Sequence, residues 1–148
     1  MRTAPSPLLQ RVTQTLSALL PTLPCPPLQA AQAELRRSLH LAFGLASAHC
    51  RPVVVEPCRE PAKGRVSVRL PEGVCWGRPA AIPLPPSLLD SGWRGGRPRP
   101  ITVMPQRRAS ANVWFLHHGR QALCLRLDLS GAVELLRYRP LLGTWVNC

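Results

Sequence analysis

The hydrophobic pattern of this chain changes its period near Cys50, and that change limits the folds open to it. Before Cys50, apolar residues recur every three or four positions, as on one face of an α-helix. After it, apolar and polar residues alternate, as on a half-buried strand. Helices followed by strands predict an α+β fold. A length of 148 residues suits one hydrophobic core, so we expect a single domain over residues 1–148.

The first part of the chain predicts two helices, at about 7–20 and 27–48, that form an N-terminal helical hairpin. Ser6 and Pro7 suit the cap and first position of the first helix, and Pro26 and Pro27 open the second. The second helix carries one apolar stripe, which we expect to face a sheet. The stripe consists of Leu28, Ala31, Leu35, Leu39, Ala42 and Ala46.

Residues 52–148 are rich in strand patterns and predict an antiparallel sheet of four to six strands. The best-specified part is the hairpin around Leu129-Ser130-Gly131, whose loop length follows from side-chain register. A two-residue loop would place Leu127 opposite Glu134 and so mix apolar with charged side chains. A three-residue loop with Gly131 in the left-handed conformation pairs Leu127 with Val133, Leu125 with Leu135, and Arg126 with Glu134 in an ion pair. We therefore predict the three-residue loop.

An irregular loop of about 71–100 interrupts the strands. Its prolines, among them Pro79, Pro83, Pro85 and Pro86, lack the amide that a central strand must donate. We expect a long Pro/Gly-rich loop that projects from the sheet and contains one helical turn at 86–89. Loops of this length are usually functional or disordered.

The charge of the chain is its strongest functional signal. It has 19 basic residues against seven acidic ones, a net charge of +12, and Lys63 is the only lysine. A GC-rich gene would favour arginine over lysine, but codon bias does not by itself produce that net charge. Selection for phosphate or carboxylate binding is the other explanation, since the planar guanidinium pairs with both. A domain this basic is expected to associate with nucleic acid, an anionic surface or an acidic protein.

Five arginines stand close together in a stretch that contains no acid between Asp90 and Asp128. Flexible glycines beside them would let guanidinium groups reach phosphates, and Trp93 could stack on a base. The sequence thus predicts a non-enzymatic nucleic-acid-binding or ribonucleoprotein-associated module that contacts the phosphate backbone (DNA or RNA). The predicted binding residues are Trp93, Arg94, Arg97, Arg99, Arg107 and Arg108.

Two other functions stay open. One is a protein-interaction subunit or accessory factor that binds an acidic partner through its sheet or helices. The other is a small thiol or metal enzyme that pairs Cys75 or Cys124 with His117 or His118. No two cysteines have the close spacing of a zinc knuckle, and no phosphate-binding glycine loop is present. We therefore predict no catalytic residue, metal site or cofactor.

The expected location is intracellular, cytoplasmic or nuclear. The apolar stretch from Leu8 to Leu23 is interrupted by polar residues, so it lacks the core of a signal peptide, and no segment is apolar enough to span a membrane. The six cysteines are then expected to be free thiols. A weakly basic N-terminal segment leaves organellar targeting open. The sequence predicts no oligomeric state.

Overall fold

A computed structural model describes residues 25–57, 64–89 and 97–148. Within these ranges the protein is an α+β fold in which one long helix packs on two sheets. Helix α1 spans Pro26–His49 and a single turn, α2, spans Pro86–Leu89. The helix predicted at 7–20 falls in the part that the structure does not describe, so the helical hairpin stays a prediction.

The second predicted helix is confirmed as α1. Pro26 occupies its first turn, where a missing amide costs no hydrogen bond. Every residue of the predicted apolar stripe is buried, and Ser38 joins them. The three alanines of the stripe have no long side chain, so the strands can approach the helix backbone closely. Cys50 ends the helix in the left-handed conformation, with φ of 49°, and its amide bonds to the Ala46 carbonyl.

The larger sheet has five antiparallel strands in the order β3-β5-β6-β7-β8. This number agrees with the prediction of four to six strands. The strands are β3 (Cys75–Trp76), β5 (Asn112–His118), β6 (Gln121–Leu127), β7 (Val133–Arg139) and β8 (Thr144–Asn147).

A second, smaller sheet was not predicted. Its strands are β1 (Val53–Glu56), β2 (Arg65–Ser67) and β4 (Ile101–Val103), in the order β2-β1-β4. Strand β1 pairs in parallel with β2 and antiparallel with β4. Alternation in the sequence marks strands of this kind but carries no information about their partners.

The β6–β7 hairpin confirms the predicted register. Leu127 lies opposite Val133, Leu125 opposite Leu135, and Arg126 opposite Glu134. Gly131 has φ of +80°, as the three-residue loop requires. The predicted ion pair is missing: the ion pairs among the described residues are Arg37–Glu34 and Arg65–Glu56. Glu134 is exposed and remains hydrated.

Both faces of the five-stranded sheet are covered. On one face, Trp114, Leu116, Leu123, Leu125 and Leu135 pack with α1 and the smaller sheet into the main core. On the opposite face, a second core is built around the centre of β5, β6 and β7. It contains Leu88, Phe115, Cys124 and Leu136, with Leu84, Val113 and Trp145 packed against it.

The proline-rich segment supplies this second cover, which corrects the prediction that it projects from the sheet. The Trp145 indole donates a hydrogen bond of 2.8 Å to the Pro83 carbonyl, and Leu88 of α2 is 3% exposed. The helical turn predicted at 86–89 is confirmed as α2. Because of this cover, Cys124 is buried even though it points away from the leucines of its strand, and burial raises the pKa of its thiol to about 12.

Candidate anion-binding surface

The described arginines of the predicted cluster lie on either side of strand β4. Trp93 and Arg94 fall in the range 90–96, outside the described part of the chain. Arg97 and Arg99 precede β4, whereas Arg107 and Arg108 follow it, and all four are exposed. The three residues of β4 and their neighbours separate the two pairs by roughly 10–15 Å, at about 3.3 Å per strand residue.

The backbone at Arg99 is anchored, although its side chain is exposed. Its carbonyl accepts hydrogen bonds from the Trp114 indole at 2.7 Å and from the Asn112 side-chain amide at 3.0 Å. Trp114 itself is buried under α1. These contacts fix the chain path before β4 and leave the Arg99 guanidinium in solvent.

Arg107 and Arg108 belong to a tight turn near the C-terminal end of α1. The Met104 amide bonds to the Arg108 carbonyl at 2.7 Å, and Arg107 adopts the left-handed conformation with φ of 58°. The Ser47 hydroxyl of α1 donates to the Pro105 carbonyl at 3.4 Å. Val53 pairs with Val103, so the register also places Arg51 opposite this turn. The prediction from sequence missed Arg51, which is more than fifty residues away along the chain.

Strand β7 places two further arginines on the face of the sheet that carries α1. Leu135 points into the main core on that face. Side chains alternate along a strand, so Arg137 and Arg139 point to the same side. They lie opposite Val146 and Thr144 of β8 and are half-buried.

Helix α1 contributes a third arginine to this place. A terminal nitrogen of the Arg36 guanidinium lies 3.5 Å from the backbone oxygen of Cys148, and the Cys148 amide donates to the Leu135 carbonyl at 3.0 Å. Cys148 thus connects Arg36 to the strand that carries Arg137 and Arg139. We refer to these three arginines, with Cys148 between them, as the basic surface.

No Asp or Glu side chain of the described residues forms an ion pair with the basic surface. Among the described residues, the ion pairs are Arg37–Glu34 at 2.8 Å and Arg65–Glu56 at 2.7 Å, and neither includes Arg36, Arg137 or Arg139. Arg137 donates to the Gln121 side-chain oxygen at 2.8 Å, a neutral partner that orients the guanidinium and leaves its charge.

The thiol of Cys148 does not cancel this charge either. Desolvation raises its pKa, and the nearby Arg137, Arg36 and Arg139 oppose that rise only in part. The thiol is therefore protonated at neutral pH. The thiol therefore leaves the charge of the three arginines unchanged.

A groove of about 680 Å³ adjoins the basic surface at Arg36 and Cys148. It runs along β7 beside Val133 and Leu135, and its far part carries Arg126 together with Asp128 and Glu134. Hydrogen bonds from the Ser130 hydroxyl and, with a smaller effect, from the Ala132 amide hold the pKa of the Asp128 carboxyl below its usual range. This acid is therefore ionised at neutral pH. The acids limit how far along the groove an anion can bind.

The sequence contained one signal for the basic surface. The predicted hairpin register already put Leu135 on the core side of β7, and alternation then puts Arg137 and Arg139 on that side too. A charged side chain is costly to bury, so arginines at these positions indicate that the helix does not cover this end of β7. Nothing in the sequence indicated that Arg36, about a hundred positions away, would join them.

The structure also brings together a cysteine and a histidine that the sequence did not pair. The Cys25 sulfur, at the start of α1, lies 3.9 Å from Nδ1 of His118. Cys75 is opposite His117 in the register, where Nδ1 of His117 is 3.0 Å from the Gly77 carbonyl oxygen. Cys25 is only 5% exposed, so a substrate has little access to its sulfur.

Within the described ranges, no group of three or more metal-binding side chains comes together. The described cysteines (25, 50, 75, 124 and 148) carry free thiols. Of the helices in these ranges, none has both the length and the hydropathy needed to cross a membrane. The chain matches no protein-family model, no curated protein and no solved structure.

Proposed function

We propose that this protein is a non-enzymatic nucleic-acid-binding module whose basic surface contacts the phosphate backbone. The observation that carries the proposal is that Arg36, from a helix, and Arg137 and Arg139, from a strand, all lie around Cys148, and that no Asp or Glu side chain is paired with any of them in the described ranges. Uncompensated guanidinium groups on one surface favour a polyanion as ligand.

The elements that carry these arginines favour binding further. Arg137 and Arg139 belong to a strand hydrogen-bonded on both sides, and Arg137 is also held by Gln121. Side chains that are already ordered lose less conformational entropy when they contact a ligand. Guanidinium groups also donate two parallel hydrogen bonds to a phosphate, which a lysine ammonium cannot do.

The loop arginines have a secondary role in this proposal. Arg97, Arg99 and Arg108 are exposed and add to the long-range attraction that draws a polyanion towards the protein. The two pairs lie at opposite ends of β4, so they are not adjacent to each other. Our proposal therefore centres binding on the basic surface rather than on the cluster that the sequence predicts.

Two triple variants with equal loss of charge test the proposal. We expect Arg36→Gln/Arg137→Gln/Arg139→Gln to weaken binding of a fluorescent 20-base-pair duplex at least about tenfold at low salt, because three phosphate contacts are lost. Arg97→Gln/Arg99→Gln/Arg108→Gln should weaken it much less. Fluorescence anisotropy gives both affinities, and thermal unfolding shows whether each variant is folded.

Other results would contradict the proposal. Equal losses in the two variants would mean that net charge alone attracts the nucleic acid. A larger loss of affinity in Arg97→Gln/Arg99→Gln/Arg108→Gln would mean that the arginines around β4 form the main binding site. If the folded wild-type protein bound no nucleic acid, the proposed function itself would be wrong.

The second candidate function is binding of an acidic protein partner. In the described part of the chain, β8 pairs with β7 from Leu136 onwards and leaves Val133 and Glu134 without a strand on that side. The groove beside this edge carries Arg36 and Arg126, so an extended acidic peptide could pair with the strand there. Arg126→Gln separates the two functions: it should weaken peptide binding and leave nucleic-acid binding unchanged.

A further inference from the structure

We infer that the basic surface binds the backbone of double-stranded nucleic acid in preference to single strands. The inference rests on the proposed function and names its substrate class. Contacts to phosphates alone favour the duplex, whereas contacts to phosphates combined with stacking on bases favour single strands. The side chains around the three arginines therefore decide which form binds more tightly.

Aromatic side chains are absent from the basic surface within the described part of the chain. Trp114 is 1% exposed, and Trp76 packs edge-on against it with ring centroids 5.3 Å apart. Both belong to the main core or its border. Phe43 is half-buried against the same core, near the C-terminal end of α1.

The remaining described aromatic residues are on the opposite face of the sheet. Tyr138 and Trp145 alternate with Arg137 and Val146, so they point away from α1. Their rings lie 5.4 Å apart, and the Trp145 indole is bonded to the Pro83 carbonyl. Phe115 packs against Trp145 at 5.9 Å in the second core. Among the described residues, therefore, no phenylalanine, tyrosine or tryptophan ring is placed on the basic surface for an unpaired base to stack on.

A surface that contacts only phosphates gains most from the polymer with the higher charge density. In a plot of log K against log salt, each phosphate contact adds about 0.9 to the steepness of the slope for duplex DNA and about 0.7 for a single strand. Three contacts then give a steepness of about 2.7 for duplex DNA and about 2.1 for a single strand. At about 0.1 M salt this difference corresponds to roughly fourfold tighter binding of the duplex.

Ordered side chains favour the duplex as well. Arg137 and Arg139 are two strand positions, about 6.6 Å, apart, and the bond from Gln121 holds the first of them. A duplex presents its phosphates on a stiff framework, whereas a single strand must lose conformational freedom to follow fixed arginines. Within the described ranges, no tryptophan, tyrosine or phenylalanine ring on this surface offsets that loss.

The test compares duplex DNA, duplex RNA and the corresponding single strands, all of the same length, on the full chain. We expect duplex DNA to bind about fourfold more tightly than single-stranded DNA at about 0.1 M salt. Duplex RNA should also bind more tightly than single-stranded RNA, and both differences in affinity should narrow as salt rises. Trp93→Ala should leave all affinities unchanged. Tryptophan fluorescence should not be quenched by single strands.

Single strands that bind as tightly as duplexes, with a loss on Trp93→Ala, would overturn the inference, because a stacking residue would then decide the substrate. The proposed function would survive that result if Arg36→Gln/Arg137→Gln/Arg139→Gln still weakened binding of both forms. Binding of neither form, or binding unaffected by that triple variant, would instead overturn the proposed function. The two failures are therefore distinguishable.

Discussion

At the scale of single residues, the surroundings of each arginine decide whether its charge is available to a ligand. Arg37 is paired with Glu34 and Arg65 with Glu56, so these charges are partly neutralised within the protein. Arg36 directly precedes Arg37, but it points towards Cys148 and pairs with no Asp or Glu side chain within the described ranges. Adjacent positions on a helix lie about 100° apart, so neighbours in sequence face different partners.

Glu34 connects α1 to the chain that follows β2. One of its carboxylate oxygens accepts bonds from the Arg69 amide at 3.2 Å and the Ser38 hydroxyl at 3.3 Å, as well as from Arg37. The bond from Arg37 is the main reason that the pKa of Glu34 lies below its ordinary value of 4.5, although partial burial opposes the shift. The ionised form is therefore the one that stabilises the fold.

Replacing Glu34 by glutamine should lower the free energy of unfolding at pH 7 by about 0.5–1 kcal/mol, as for an ion pair whose arginine is exposed to solvent. A lowered pKa in the folded state gives stability above the unfolded value of 4.5, and that stability is lost as pH falls through the folded pKa. The difference between wild type and Glu34→Gln should therefore shrink below about pH 4.

Urea denaturation across this pH range measures the effect. Glu134→Gln is the matched control, because it removes the same charge from an exposed residue that forms no ion pair among the described residues. A difference for Glu34→Gln that stayed constant with pH would show that the ionised carboxylate does not hold α1 in place.

At the scale of elements, those whose hydrogen-bonded partners are close in sequence could be predicted. Strand pairs whose partners are far apart in sequence could not. Helix α1 and the β6–β7 hairpin follow from periodicity and from a loop of three residues. The parallel pair β1 and β2 has no such local signature, because alternation does not say which strand lies beside which. The cover formed by the segment around Pro83 was also missed, since prolines exclude a strand without showing where the chain packs.

Gly131 links the hairpin to the turn that carries Arg107. Its φ of +80° suits glycine, and a Cβ there would collide with the Arg107 carbonyl. Gly143, in the β7–β8 turn, has φ of +65° but open space around it. Alanine at Gly143 should cost about 1–2 kcal/mol for the left-handed conformation alone. Alanine at Gly131 should cost at least about 1 kcal/mol more, because the clash forces two turns apart.

Chemical denaturation of the two alanine variants gives both free energies of unfolding. Equal losses would mean that the turn at Arg107 can move away from the hairpin without cost. The contact between these turns would then be incidental to the fold.

At the scale of the whole molecule, the sequence indicates the kind of ligand, and only the fold shows which charged residues lie together. The net charge of +12 predicts a polyanion as ligand. The acid-free run before Asp128 groups arginines that are close together in sequence. Those of them that the structure describes lie on either side of β4, whereas the fold brings Arg36, Arg137 and Arg139 together. Only the packing of α1 beside the end of β7 creates that group.

The salt dependence of duplex binding tests this account most directly, because it counts the phosphates that the protein neutralises. A plot of log K against log salt should be about 2.7 shallower for Arg36→Gln/Arg137→Gln/Arg139→Gln than for wild type, for three contacts of about 0.9 each. The slope for Arg97→Gln/Arg99→Gln/Arg108→Gln should stay close to that of wild type. A slope unchanged in the first variant and reduced in the second would contradict the account.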